Sequence, residues 1–283
     1  MDEILLIDKP LDMTSFDVCA KMRKHFKTKR VGHAGTLDPQ ASGVLVVMIN
    51  KATKLSNFLV MDSKEYIATF RLGLSTTTQD MEGEILEEVP YQKDVSLEQL
   101  QEVLNTFIGI QKQVPSIYSA IKVNGKKLYE YARNNEEVEI PIREIEIYNI
   151  DLLSFEDDLV TIKVSCSSGT YIRSLCFDIS KALNYPGVLT YLRRTQSGQF
   201  SIDQAYTLEQ IQNNEYTPLT IRQALSNYPA LQVDDKQLVD VKNGKIIATD
   251  INQEFIVVDQ EDNVIALYHP SKDGQAKMKR GLW

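Results

Sequence analysis

Two hydrophobic periods run through this chain, and each change of period marks a change of element. Ile4 to Ile7 is a short apolar run that reads as a strand, followed by a turn at Asp8-Lys9-Pro10 and a helix capped by Thr14 or Ser15. Val18, Cys19, Met22 and Phe26 then recur at helical spacing, which turns them to a core and leaves the lysines and Arg23 outside. Val44 to Ile49 is continuously apolar, as in a strand buried on both faces. From Lys64 to Leu72 the pattern alternates, with Tyr66, Ala68, Phe70 and Leu72 on one face.

Ser96-Leu97-Glu98-Gln99 carries the capping-box pattern and opens a helix bearing Leu97, Leu100, Val103, Leu104 and Phe107. Gln111 to Gly125 reads as irregular, and Lys127 to Arg133 as a short helix. Two alternating strands follow Arg143, the clearer one placing Val160, Ile162, Val164 and Cys166 on one face. Ser168-Gly169-Thr170 breaks it, and Ile172, Leu175, Cys176, Ile179 and Leu183 mark a helix. Val188 to Arg194 suits a strand, and Thr207-Leu208-Glu209-Gln210 is a second capping box. After Tyr228-Pro229 come a short helix ending near Gly244 and a hairpin of 255–258 with 264–268. Strands and helices mix without regular alternation, so the expected class is α+β, divided into 1–229 and 230–283.

Composition keeps this picture within soluble globular proteins: 43% hydrophobic and 25% charged residues over 283 positions. The amino terminus has acids where a signal peptide needs basic residues, and no apolar stretch approaches the roughly 20 residues of a membrane span. A cytoplasmic protein is expected. Cys19, Cys166 and Cys176 lack CxxC spacing, and His25, His33 and His269 add no ligands at a useful spacing, so neither a disulfide framework nor a metal site is expected.

A net charge of -8 argues, taken alone, against a nucleic-acid partner. Its distribution changes the conclusion. No acid lies between Val18 and Leu37, where Lys21, Arg23, Lys24, Lys27, Lys29 and Arg30 crowd together, while acids concentrate between Asp80 and Glu102. Lys277-Met278-Lys279-Arg280 and Arg193-Arg194 are smaller basic clusters. A basic run is often only a solvated helix face, but this one sits just before a glycine-rich loop with a single acid, which suits phosphate binding.

That loop is Gly32-His33-Ala34-Gly35-Thr36-Leu37-Asp38-Pro39. Gly32, Gly35 and Gly43 permit backbone angles closed to other residues, and Pro39 pushes Asp38 towards an extended conformation, so its carboxylate can point outwards. A glycine-flanked Asp-Pro is by itself an ordinary turn. The full string GHAGTLDPQASGVL, however, closely resembles the catalytic motif of the TruB family of tRNA pseudouridine synthases.

The resemblance extends from Asp8 to Phe200. It includes Asp8-Lys9-Pro10 with Thr14-Ser15, Ala52-Thr53-Lys54, Lys64-Glu65-Tyr66, Thr76 to Asp80 with Gly83, and Gln113 to Ala120 with Lys122 and Gly125. Ser168 to Leu175 and Leu192-Arg193-Arg194-Thr195 complete the set. Asp12 and Asn50 stand where the family commonly has glycine, and Ser116 replaces a proline.

The resemblance implies a pseudouridine synthase fold, a mixed and mainly antiparallel sheet flanked by helices and loops, with a small carboxyl-terminal PUA-like domain at 230–283. It implies isomerisation of uridine 55 in the tRNA T loop, a reaction with no net redox change and so no cofactor. Asp38 is the implied nucleophile, since an ordinary aspartate with pKa of about 3.9 is ionised at neutral pH. Whether it attacks the ribose or helps abstract a ribose proton stays open. Arg173 is its expected guanidinium partner.

Flipping the base out costs roughly a few kcal/mol of unstacking. Tyr66 is the implied stacking ring, with a phenol that assists removal of the carbon 5 proton. Tyr171 and Leu192 match substrate-pocket positions. Histidine at His33 suits acid–base chemistry or filling the space left by the flipped base, and the resemblance favours the second. Lys24, Lys27 and Lys29 are expected to contact RNA phosphates. The implied partner is the tRNA T arm, bound by a monomer with no obligatory protein partner and no membrane. Two alternatives stand beside this: an isomerase of another structured RNA, and a noncatalytic RNA-binding or tRNA-folding protein.

Overall fold

The computed structural model describes residues 2–59, 63–272 and 274–283. Its contacts divide the chain into two units: Met1–Pro39, Val44–Val60 and Ile202–Trp283 form the first, and Gln40–Gly43 and Met61–Ser201 the second. The strand Ala41–Ile49 contributes residues to both and is buried throughout.

In the first unit the strand Glu3–Lys9 pairs with Leu219–Thr220, and Val31–Ala34 pairs antiparallel with the distal half of Ala41–Ile49, His33 opposite Val47. The helix Ser15–His25 is capped by Thr14, whose side chain accepts from the Asp17 amide while Asp17 answers to the Thr14 amide. Val18, Cys19 and Met22 are buried and join Leu5, Ile7 and Val47 in one cluster, as the helical spacing predicts. The turn expected at Asp8-Lys9-Pro10 begins later, because the strand continues through Lys9.

Residues 230–281 build a sheet of their own, ordered Ala230–Gln232, Phe255–Val258, Val264–Pro270, Gln275–Gly281 and Ile247–Ala248. The expected hairpin is its centre, and the stacked rings of Phe255 and Tyr268, 5.8 Å apart, fill its core. Lys54 ties the end of this segment to the rest of the unit by donating to the carbonyls of Gly281 at 3.4 Å and Trp283 at 2.6 Å.

The second unit is an antiparallel run, Gly187–Ser197 beside Ser63–Leu72, then Leu159–Ser167, Arg143–Glu156 and Gly109–Gln113. Ala41–Gly43 adds to it in parallel, opposite Leu192–Arg194. Alternation along Ser63–Leu72 and Leu159–Ser167 buries Ala68, Phe70, Leu72, Val160, Ile162, Val164 and Cys166 completely. Each large apolar side chain so buried contributes about 1.5 to 3 kcal/mol. The helix Ile172–Ala182 packs on Gly187–Ser197 and on Ser63–Leu72.

Three sequence expectations change here. Residues 109–113, partly inside the segment read as irregular, form the edge strand, and Lys122–Val123 pairs with Lys126–Lys127 as a small hairpin. Leu97 is exposed, because its helix Leu97–Thr106 buries only Leu100 and Leu104. Arg194 is not part of a surface basic patch, having 1% of its surface accessible.

Candidate active site

In the first unit Asp38 lies exposed between Leu37 and Pro39, and both of these neighbours are anchored. Ser15, buried at the start of its helix, donates to the Leu37 carbonyl at 3.1 Å and accepts from the Leu37 amide at 2.9 Å. Lys9 is completely buried, and its ammonium donates to the carbonyls of Met13 at 2.6 Å, Pro10 at 2.8 Å and Pro39 at 3.3 Å. Burying an ammonium costs several kcal/mol unless such partners surround it. The residues before and after Asp38 are thus each held by a side chain that sequence reading did not assign to the site. The signal available was the DKP and TS strings, which match the family's opening element.

Two backbone positions explain the glycines of this loop. Gly35 has φ 78, and Gly43 has φ 109. A Cβ at Gly43 would stand 2.2 Å from the Arg194 carbonyl oxygen, so only glycine fits between these paired strands. Gly32 adopts no such angle. The two positions where the family commonly has glycine behave as that preference predicts: Asp12 has φ 59 and Asn50 φ 53. Aspartate and asparagine are the side chains that best tolerate this region. Asn50 also accepts from Thr28 at 2.7 Å.

His33 is half-buried on the strand Val31–Ala34. Lys24, Lys27 and Lys29 are exposed, as are Lys21 and Arg30. Arg23 departs from the expected solvated face: it donates to the Val31 carbonyl at 3.2 Å, and its guanidinium lies 4.8 Å from the Phe16 ring centre.

The second unit brings Tyr66, Tyr171, Arg173 and Leu192 onto neighbouring elements. Tyr66 is 8% exposed, with Val164 and Arg194 as its cross-strand partners. Leu192 is equally buried and lies opposite Ala68 and Ala41. Tyr171 precedes the helix Ile172–Ala182, and Gln113 clamps its backbone: the Tyr171 amide donates to Gln113 Oε1 at 2.8 Å, and Gln113 Nε2 donates to the Tyr171 carbonyl at 3.0 Å.

Arg173 lies in the first turn of that helix and is 6% exposed. Its Nη1 donates to the Thr78 carbonyl at 2.9 Å and lies 3.2 Å from Asp80 Oδ2, while Nη2 donates to the Tyr118 carbonyl at 3.1 Å. Asp80 is held in turn by the hydroxyl of Thr78 and the amide of Glu82. Ser174 donates to Gln79 at 2.8 Å, fixing the same loop to the helix. Sequence reading gave Arg173 only Asp38 as partner. Asp80 belongs to the family-like string Thr76 to Asp80, and nothing local to it signals an arginine so far along the chain.

Burial raises the Cys19 and Cys166 thiols to about 11 and raises Cys176 further, so these cysteines are unreactive core groups. Among the described residues no group of three or more His, Cys, Asp or Glu side chains is placed to hold a metal ion.

Known proteins resemble this chain over its whole length. Residues 23–172 match the TruB family pseudouridylate synthase amino-terminal domain, and residues 173–227 the tRNA pseudouridylate synthase B carboxyl-terminal domain. The tRNA pseudouridine synthase B of Oceanobacillus iheyensis is 43% identical over 99% of this chain and 97% of its own length. That of Bacillus cereus is 40% identical over 100% and 97%. The fold matches a chain in a crystal structure of a Cbf5-Nop10-Gar1 complex with TM-score 0.77 and 24% identity, covering 99% of this chain and 85% of that one. Motifs, fold and full-length similarity lead to one assignment: the chain belongs to the TruB family of pseudouridylate synthases.

Proposed function

We propose that this protein isomerises uridine 55 in the T loop of tRNA to pseudouridine. The observation that carries the reading is the Asp38 loop: an exposed carboxylate whose two neighbours are pinned by buried Lys9 and Ser15. A nucleophile held in one geometry reacts without first losing conformational freedom. The names of the full-length relatives support tRNA as the substrate.

In this reading the N-glycosidic bond of the uridine breaks, the uracil turns, and carbon 5 bonds to the same ribose, the proton lost from carbon 5 being balanced by one gained at nitrogen 1. Asp38 is the nucleophile. Tyr66 stacks on the flipped uracil and assists removal of the carbon 5 proton, and Tyr171 and Leu192 line its pocket. Arg173, fixed by Asp80 and two carbonyls, supplies positive charge that cannot swing away. His33 fills the space left by the flipped base, and Lys24, Lys27 and Lys29 meet backbone phosphates. Residues 1–229 form the catalytic part, and 230–283 a PUA-like RNA-binding part. The protein acts as a monomer in the cytoplasm, and opening and releasing the T loop gives a misfolded tRNA a further chance to fold.

Mapping pseudouridines in total RNA from cells with and without this protein tests the proposal. Loss of the modification at tRNA position 55 is the expected result. Its persistence there, with loss in another RNA, would replace the substrate.

A further inference from the structure

Asn-Gly occurs twice in this chain, at Asn124-Gly125 and at Asn243-Gly244. In such a pair the glycine amide nitrogen can attack the asparagine side-chain carbonyl carbon, because the glycine has no Cβ to obstruct the approach. The structure treats the two pairs differently.

Asn124 and Gly125 are both exposed and form the turn between Lys122–Val123 and Lys126–Lys127, with φ 51 and φ 83. This hairpin is a sheet by itself, closed by the pairs Lys122 with Lys127 and Val123 with Lys126. Beyond these pairs the Leu128 amide donates to the Ile121 carbonyl at 2.8 Å and the Tyr131 hydroxyl to the Val123 carbonyl at 3.0 Å, so the freedom to sample other backbone angles is confined to the exposed turn residues Asn124 and Gly125. A Cβ built at Gly125 would meet no heavy atom within 4 Å, which leaves room for a ring to close. Among the described residues no hydrogen bond holds the Gly125 amide or the Asn124 side chain. At the other pair, Asn243 caps the helix Asp235–Lys242 and its amide donates to the Val239 carbonyl at 3.1 Å. The Gly244 amide, the nucleophile there, donates to the Val241 carbonyl at 2.9 Å.

We propose that Asn124 is a site of spontaneous deamidation in the folded protein. The Gly125 nitrogen bonds to Asn124 Cγ, the Cγ–Nδ2 bond breaks, and the amide group leaves as ammonia with the proton from Gly125, giving a cyclic imide. Water then adds to either imide carbonyl. One opening yields aspartate, the other isoaspartate with an extra carbon in the backbone, and the sum is one water consumed and one ammonia released. The product places a negative charge among Lys122, Lys126 and Lys127.

The full chain incubated at physiological temperature and mildly alkaline pH in heavy-oxygen water, followed by peptide mass mapping, tests this. Labelled acid should accumulate at position 124 as two isomers, at least about fivefold faster than at 243, the factor set by the one hydrogen bond that must first break there. Asn124→Gln, whose longer side chain disfavours the ring, should abolish incorporation at 124. Conversion at 124 no faster than at 243 would overturn the proposal, as would none while a free Val-Asn-Gly-Lys peptide converts fully.

Discussion

The ammonium of Lys9 donates to the carbonyl oxygen of Pro39 at 3.3 Å, linking the end of the first strand to the residue that follows Asp38. Lys9 has no exposed surface, and the carbonyls of Pro10, Met13 and Pro39 all accept from its ammonium. A lysine that looks on sequence like a solvent-facing turn residue is a structural post for the loop.

Lys9→Met keeps the apolar stem and removes the donor. Leaving buried carbonyls unpaired costs about 1 to 3 kcal/mol, so the urea midpoint should fall. The loosened Asp38 loop should also turn over T-arm RNA about 10-fold or more slowly at unchanged binding. Wild-type turnover in a folded Lys9→Met protein would remove Lys9 from the positioning of Asp38.

Asp38→Asn preserves shape and hydrogen-bonding capacity while removing charge and nucleophilicity. The expected outcome is no tritium release from carbon-5-labelled uridine in a tRNA transcript, with filter binding comparable to wild type. Substantial release by the pure variant would disqualify Asp38 as nucleophile, and none by wild type would favour a noncatalytic protein.

Asp80→Asn leaves the Arg173 guanidinium without the carboxylate 3.2 Å away, in surroundings where the two side chains are only 7% and 13% exposed. Breaking a buried pair costs about 3 to 5 kcal/mol, and a displaced Arg173 should lower kcat about 10²-fold with a smaller change in KM. A change confined to KM would make Asp80 a binding residue.

Neutralising Lys24, Lys27 and Lys29 together should weaken tRNA binding and flatten its dependence on salt, because a phosphate that no lysine neutralises keeps its counterion on binding. Affinity equal to wild type at two salt concentrations would place the RNA elsewhere.

Asp178, on the helix that carries Arg173, has its carboxyl raised above the ordinary aspartate range by burial, with Lys181 pulling it back in part. A raised folded-state pKa means that ionisation opposes folding. The penalty is absent below the unfolded value of about 3.9, grows as pH rises through the folded value, and is complete above it. Asp178→Asn should therefore raise Tm at neutral pH, with the gain shrinking as pH falls towards about 4. A variant no more stable than wild type at neutral pH would contradict this.

Local chemistry was legible in the sequence by itself. The capping boxes at Ser96 and Thr207 and a helix cap at Thr14 or Ser15 needed only neighbouring residues, and the alternation from Tyr66 to Leu72 needed only a strand with one buried face. The TruB motifs marked Asp38, Tyr66 and Arg173 as candidates for the same reason, being short strings that can be read in place. Tertiary structure alone decided which polar groups are buried and what they hold. Lys9 meets Pro39, Arg173 meets Asp80, and Gln113 clamps Tyr171, all partners distant along the chain. It also made Arg194 a core residue and 109–113 a sheet edge, since strand order sets which segments share a ladder. Periodicity reports the face a residue presents; the partner waiting there depends on long-range pairing, which no local pattern encodes.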